Sequence, residues 1–129
     1  MMTVTETMPN EAIASLTPRE LSECDPAPLL VDVRSAVEFR SGHAPGARNL
    51  SLLRIVMGVG FGWRWLLPDW FKVQKREEAI ALICLTAHRS PIAAQQLQRA
   101  GFQQVINIAG GMMSWQKAGL PTVKGAANP

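Results

Sequence analysis

Residues 79 to 91, Ala79-Ile80-Ala81-Leu82-Ile83-Cys84-Leu85-Thr86-Ala87-His88-Arg89-Ser90-Pro91, decide how the chain is read. The first six form a short apolar run that suits a strand covered on both faces. From Ser90-Pro91 onward, apolar positions Ile92, Ala93, Leu97 and Ala100 recur at helical spacing, and Gly101 is the expected glycine cap. In open parallel sheets ligands bind beyond the carboxyl ends of the strands, so Cys84 ends its strand facing a helix N-terminus. The unpaired amides and dipole of such a terminus favour an anion and lower a cysteine's pKa, and the thiolate is the reactive form. The loop can curl so that successive N–H groups point into one concavity, with the sulfur at its floor and the Arg89 fork near its rim.

Upstream, Thr17-Pro18-Arg19-Glu20 reads as a capping box opening a short helix to about Cys24. Pro26-Ala27-Pro28 breaks it, and Leu29 to Val33 is a second buried strand. Ser35-Ala36-Val37-Glu38 is another capping box, with its helix ending near Ser41-Gly42, and residues 42 to 47 are a turn by composition. Downstream, Val105 to Ile108 is a strand, Gly110-Gly111 a turn, and Met112 to Ala118 a last helix before Gly119 and Pro121. Strands alternating with helices predict an α/β fold of three layers, a mostly parallel central sheet with helices on both faces. The boundaries expected are a flexible leader over residues 1–14, a domain over 15–121 and a flexible tail over 122–129.

At 129 residues the chain matches one ordinary domain, long enough to bury roughly two-thirds of the surface of its unfolded form. Two Cys and two His give neither a disulfide framework nor a zinc cluster, so no metal is expected. Nor does the pattern suggest a cofactor. A net charge of +3 without a long basic run does not make nucleic acid the default partner. The charge is uneven: residues 1–47 carry seven acids and three bases, residues 48–129 ten bases and three acids, so an anion is drawn to the second half. The N-terminal residues lack the pattern of a signal peptide, which makes the cytoplasm the expected location.

The loop Cys84-Leu85-Thr86-Ala87-His88-Arg89-Ser90 closely resembles the active-site loop of rhodanese-like sulfurtransferases, where Cys, four residues and Arg form a cradle. Leu30 to Arg34 with Glu38-Phe39 and Gly42 to Asn49 is similar to the family's amino-terminal signature. Ala100-Gly101-Phe102 with Val105, and Gly110-Gly111-Met112 with Trp115 and Gly119-Leu120-Pro121, match later segments in the right order. The resemblance spans most of residues 17 to 121. It implies a rhodanese-like fold and a reaction in which Cys84 attacks a donor such as thiosulfate, releases sulfite and passes the persulfide sulfur to a thiol, a carrier protein or another thiophilic acceptor. Related phosphatases use a loop one residue longer, so the four spacers favour sulfur over phosphate. Many family members have Gly where this chain has Ala87, and some thiosulfate users carry a charge near Leu85; both departures imply weak use of thiosulfate. The alternative is a protein-interaction module of the same fold with little turnover.

Arg89 either orients an anionic donor or braces the loop. His88 either tunes Cys84 or faces solvent, and His43 either acts as a base or bonds backbone within its turn. Asp32, Arg34 and Glu38 read as charges holding the first strand and helix together near the loop, and Cys24 as an ordinary thiol rather than a resolving one. Residues 50–71 match no part of the resemblance. They hold five of the eight aromatic residues, Phe61, Trp63, Trp65, Trp70 and Phe71. Arg54, Arg64 and Pro68 divide the segment too finely for a membrane span, and three glycines in five positions argue against a helix through its middle. It is either a connection closing the core or an exposed platform for a protein or a membrane surface.

Overall fold

The computed structural model describes residues 13–86 and 88–126. Its strands are Ala14–Leu16 (β1), Leu29–Asp32 (β2), Arg48–Asn49 (β3), Ile80–Ile83 (β4) and Val105–Ile108 (β5). They pair in the order β1-β5-β4-β2-β3, every pair parallel. The helices are Pro18–Ser22 (α1), Ala36–Ser41 (α2), Leu52–Ile55 (α3), Asp69–Lys72 (α4), Ser90–Arg99 (α5) and Gly111–Lys117 (α6). Both capping boxes form: Thr17 and Ser35 accept from the backbones of Glu20 and Glu38, whose carboxylates accept in return.

Strand alternation sorts the core into two halves. Val31, Val33, Ile80, Leu82 and Cys84 turn to one face, where they pack with Ile55, Leu67, Phe71, Ala93 and Leu97 from α3 to α5. Leu30, Ala81, Ile83 and Ile108 turn to the other, against Leu21 of α1, Phe39 of α2, and Met112 and Trp115 of α6. The three expected layers follow from this sorting.

Pairing extends past both expected boundaries. Ala14 pairs with Ile106 at the sheet edge, so the first element among the described residues is a strand. In the region read as tail, Val123 exchanges both backbone hydrogen bonds with His43, and Gly125 N–H donates to the Arg40 carbonyl. The leader up to residue 12 lies outside the described residues.

The segment from 50 to 71 corrects one expectation and divides another. Helical backbone does run through its first glycines, because α3 continues directly into a π-helical turn over Val56–Gly60. Propensity loses to packing there: Gly58 is buried, and a Cβ on it would lie 2.5 Å from Leu67 Cδ2, so only glycine allows this approach. A 3₁₀ turn over Arg64–Leu66 and then α4 lead the chain back to the sheet. The aromatic clump does not form one platform. Phe71 is buried against Phe102, ring centroids 5.8 Å apart, and Trp70 is half-buried beneath Arg48, because α4 turns both toward the body of the domain. Phe61, Trp63 and Trp65 remain exposed.

Candidate active site

The chain crosses from β2 through α2 to β3 on one side of the sheet, and from β4 through α5 to β5 on the other. The two crossovers pack on opposite faces, so the ends of β2 and β4 lie at the switch point, where parallel sheets bind ligands. Cys84 directly follows β4 there and is 1% exposed.

Its sulfur rests on the first turn of α5. The Ser90 N–H donates to Cys84 Sγ at 3.4 Å, and the thiol in turn faces Ser90 Oγ at 3.4 Å. An amide aimed at sulfur from a helix N-terminus favours an anion on that sulfur. Ser90 is fully buried, and its hydroxyl donates to Asn107 Oδ1 of β5. Thus Ser90 is the first residue of α5 and not its cap. Arg89 occupies the cap position without a side-chain cap bond, and the serine hydroxyl is committed across the sheet instead.

The other end of the loop is gripped by α6. Met112 N–H donates to the Cys84 carbonyl at 2.7 Å and Met113 N–H to the Leu85 carbonyl at 3.0 Å. Gly111 makes this approach feasible: its φ is +60°, and a Cβ would sit 2.4 Å from the Cys84 carbonyl oxygen.

Arg89 reaches from the start of α5 to α2. Its Nη1 and Nη2 donate to Glu38 Oε1 and Oε2 at 2.7 and 2.9 Å, a fork-on-carboxylate pair that joins the start of α5 to the opposite layer. Hydrogen bonding from Arg89, opposed by partial burial and aided by Ser35, lowers the Glu38 pKa from an ordinary 4.5 to about 2. The Glu38 hydrogen bond raises the pKa of Arg89 further above its ordinary value. Behind this pair, Asp32 and Arg34 are both buried and bonded in two-point fashion, with Arg34 also donating to the Gly42 carbonyl. Such a pair is tolerated in the interior because its hydrogen bonds are satisfied.

The remaining sequence candidates divide clearly. Leu85, Thr86 and His88 are exposed on the loop, with His88 Nδ1 3.4 Å from Thr86 Oγ1, whereas Ala87 lies outside the described residues. His43 is buried, stacks on Phe39 with centroids 3.6 Å apart, and bonds the Phe39 carbonyl through Nδ1 at 2.8 Å. Cys24 bonds the Glu20 carbonyl and lines a recess of about 610 Å³ at the opposite end of the sheet, beside Leu29, Ala79 and Gln104. Neither Cys24 nor Cys84 is in a disulfide. No cluster of His, Cys, Asp and Glu suited to a metal occurs among the described residues.

Two contributors escape the sequence reading. Asn107 was visible only as a polar residue inside an apolar strand, and Gly111 only as half of a glycine turn; neither signal names Cys84 as the neighbour.

A family model described as rhodanese-like domain matches residues 17–118. An uncharacterised protein of Synechocystis is 37% identical over 118 residues, covering 92% of this chain and 59% of its own length, so this chain spans well under two-thirds of that relative. Thiosulfate sulfurtransferase 16 of Arabidopsis thaliana, a chloroplast protein, is 35% identical over 71% of this chain and 77% of its own. Among solved structures, a rhodanese-related protein of Thermoplasma volcanium superposes with a TM-score of 0.68 at 24% identity, covering 85% of this chain and 97% of that one, a likeness of fold.

Proposed function

The chain belongs to the rhodanese-like domain family, and on that premise we propose that it moves a sulfane sulfur from an anionic donor such as thiosulfate to a thiophilic acceptor through a persulfide on Cys84. The observation that carries the reading is the placement of Cys84 Sγ beyond β4, with the Ser90 amide of α5 donating to it. The thiolate attacks the outer sulfur of thiosulfate, a new S–S bond forms as the old one breaks, and sulfite departs with the bonding pair. The terminal persulfide sulfur then carries one negative charge, which loop amides and the α5 terminus stabilise. An acceptor thiolate takes that sulfur and returns Cys84 to its thiolate, a ping-pong cycle without net oxidation of the protein.

Leu85, Thr86, Ala87, His88, Arg89 and Ser90 form the donor-binding loop in this proposal. With its fork held by Glu38, Arg89 braces that loop from α2. Cys24 and Cys84, neither in a disulfide, suit a reducing compartment such as the cytoplasm.

Intact mass measurement after incubation with thiosulfate tests the proposal. One added sulfur atom on the native protein, and none on a Cys84→Ser variant, is the expected result. Equal addition to both proteins overturns the assignment of Cys84. No addition to either, with thiosulfate or other sulfane donors, overturns sulfur transfer and leaves an interaction module of the same fold.

A further inference from the structure

The exposed part of the aromatic segment is not used by sulfur transfer. Phe61 is 68% exposed, Trp63 47% and Trp65 76%, and the Phe61 and Trp63 rings lie 6.0 Å apart. Leu53 adds a further exposed apolar side chain, and the Arg54 Nε bond to the Leu66 carbonyl ties its helix to the turn carrying Trp65. Large aromatic side chains left in water on a surface this small mark a contact site.

Charge identifies the kind of contact. Residues 48 to 76 contain six bases and one acid. Beside the aromatic turn lies a recess of about 110 Å³ with Arg64, Lys72 and Arg76 in its lining and no carboxylate among its lining residues. Apolar Phe71 and Phe102 form part of its wall, and the Arg76 guanidinium rests 4.5 Å over the Phe102 ring. The only acid of the stretch, Asp69, stands 4.0 Å from Lys72. Exposed Trp and Phe beside a recess lined by bases and no carboxylate is the pattern of a surface that lies in the headgroup layer of a bilayer, where amphipathic rings and cations are both favoured. No described helix is long and apolar enough to cross a membrane, so the contact is one of surface attachment.

We propose that the turn carrying Phe61, Trp63 and Trp65 docks on anionic phospholipid bilayers, with a headgroup phosphate seated by Arg64, Lys72 and Arg76. The aromatic rings enter the interface and the basic recess meets the negative leaflet. Attachment stands apart from sulfur transfer, since Cys84 and its loop lie on other elements.

Vesicle co-sedimentation and tryptophan emission of the full chain test this, using phosphatidylcholine vesicles with and without phosphatidylglycerol. Binding with a blue-shifted emission is expected only on the anionic vesicles, and added salt weakens it. A Trp63→Ala/Trp65→Ala variant and an Arg64→Glu/Arg76→Glu variant should each bind at least about tenfold more weakly. The aromatic substitutions are at exposed positions, and persulfide formation on both variants reports that they are folded. The proposal is overturned by absence of binding to anionic vesicles, as a purely protein partner would give. It is equally overturned by binding that both variants retain, or by binding of inorganic phosphate alone without vesicle attachment.

Discussion

The loop after β4 and the segment from α3 to α4 flank the same helix, α5, yet they are built by opposite means. The loop is held by directed polar contacts: an amide to Cys84 sulfur, two amides of α6 to loop carbonyls, and a bidentate pair from Arg89 to Glu38. The segment is held mainly by close apolar approach, with Gly58 against Leu67 and Ile55, Leu67 and Phe71 inserted into the core. Directed bonds fix the position of one sulfur atom to a fraction of an ångström, which a reacting group needs. Apolar packing fixes a surface that needs only to be present, and it leaves the outward side of that surface free to present aromatic rings. The sulfur proposed to react and the surface proposed to attach are thereby built on separate elements around α5.

The strongest way to break this contrast is Gly111→Ala. The added methyl meets two backbone carbonyls of the loop and forces a left-handed residue, so stability should fall by about 3 kcal/mol in urea unfolding. Persulfide formation should fall with it, because the amides holding Cys84 and Leu85 lose their positions. Gly58→Ala makes the complementary change: the methyl meets the buried Leu67 side chain, which must repack at a cost of about 2 kcal/mol. The folded fraction of that variant should still form the Cys84 persulfide at a native rate in the mass assay. Loss of sulfur loading in folded Gly58→Ala protein would show that the two regions are coupled.

The same contrast explains what was legible beforehand. Cys84, its strand and its helix are visible because a short apolar run, a Ser-Pro helix start and a C-terminal glycine are all local signals. The two capping boxes are legible for the same reason, and they form as read. Glu38 was readable as a cap, but its second partner lies 51 residues away, and no local rule pairs it with Arg89. The π-helical turn was misread because glycine spacing reports propensity, while Gly58 answers to Leu67, which only the folded chain brings near. The edge strand β1 is three residues long and exposed over two of them, so it has no hydrophobic alternation to detect.

A smaller effect is expected at Asn107. Asn107→Ala removes the acceptor of the buried Ser90 hydroxyl and should cost about 1 kcal/mol. Because Ser90 also contacts the sulfur, the rate of Cys84 alkylation by iodoacetamide should change in this variant while that of Cys24 stays the same. An unchanged Cys84 rate would mean that the backbone amide alone positions the sulfur, sharpening the view that directed bonds to one atom suffice.

The smallest effect lies in the Arg89–Glu38 pair, whose partners are each about one-third exposed, so solvent screening limits its worth to about 0.5 kcal/mol. The Glu38 pKa falls from 4.5 to about 2 on folding, so the unfolded chain takes up the proton first as pH drops. The pair's contribution is therefore complete above pH 4.5 and is lost as pH descends toward 2. Glu38→Gln should be less stable than the native protein by a constant margin at neutral pH, and that margin should shrink across the acid window. Urea unfolding of both proteins at neutral pH and at successive acid values measures it. A margin that persists undiminished toward pH 2 would show that the charge of Glu38 does not carry the difference, and would remove the strut between α5 and α2.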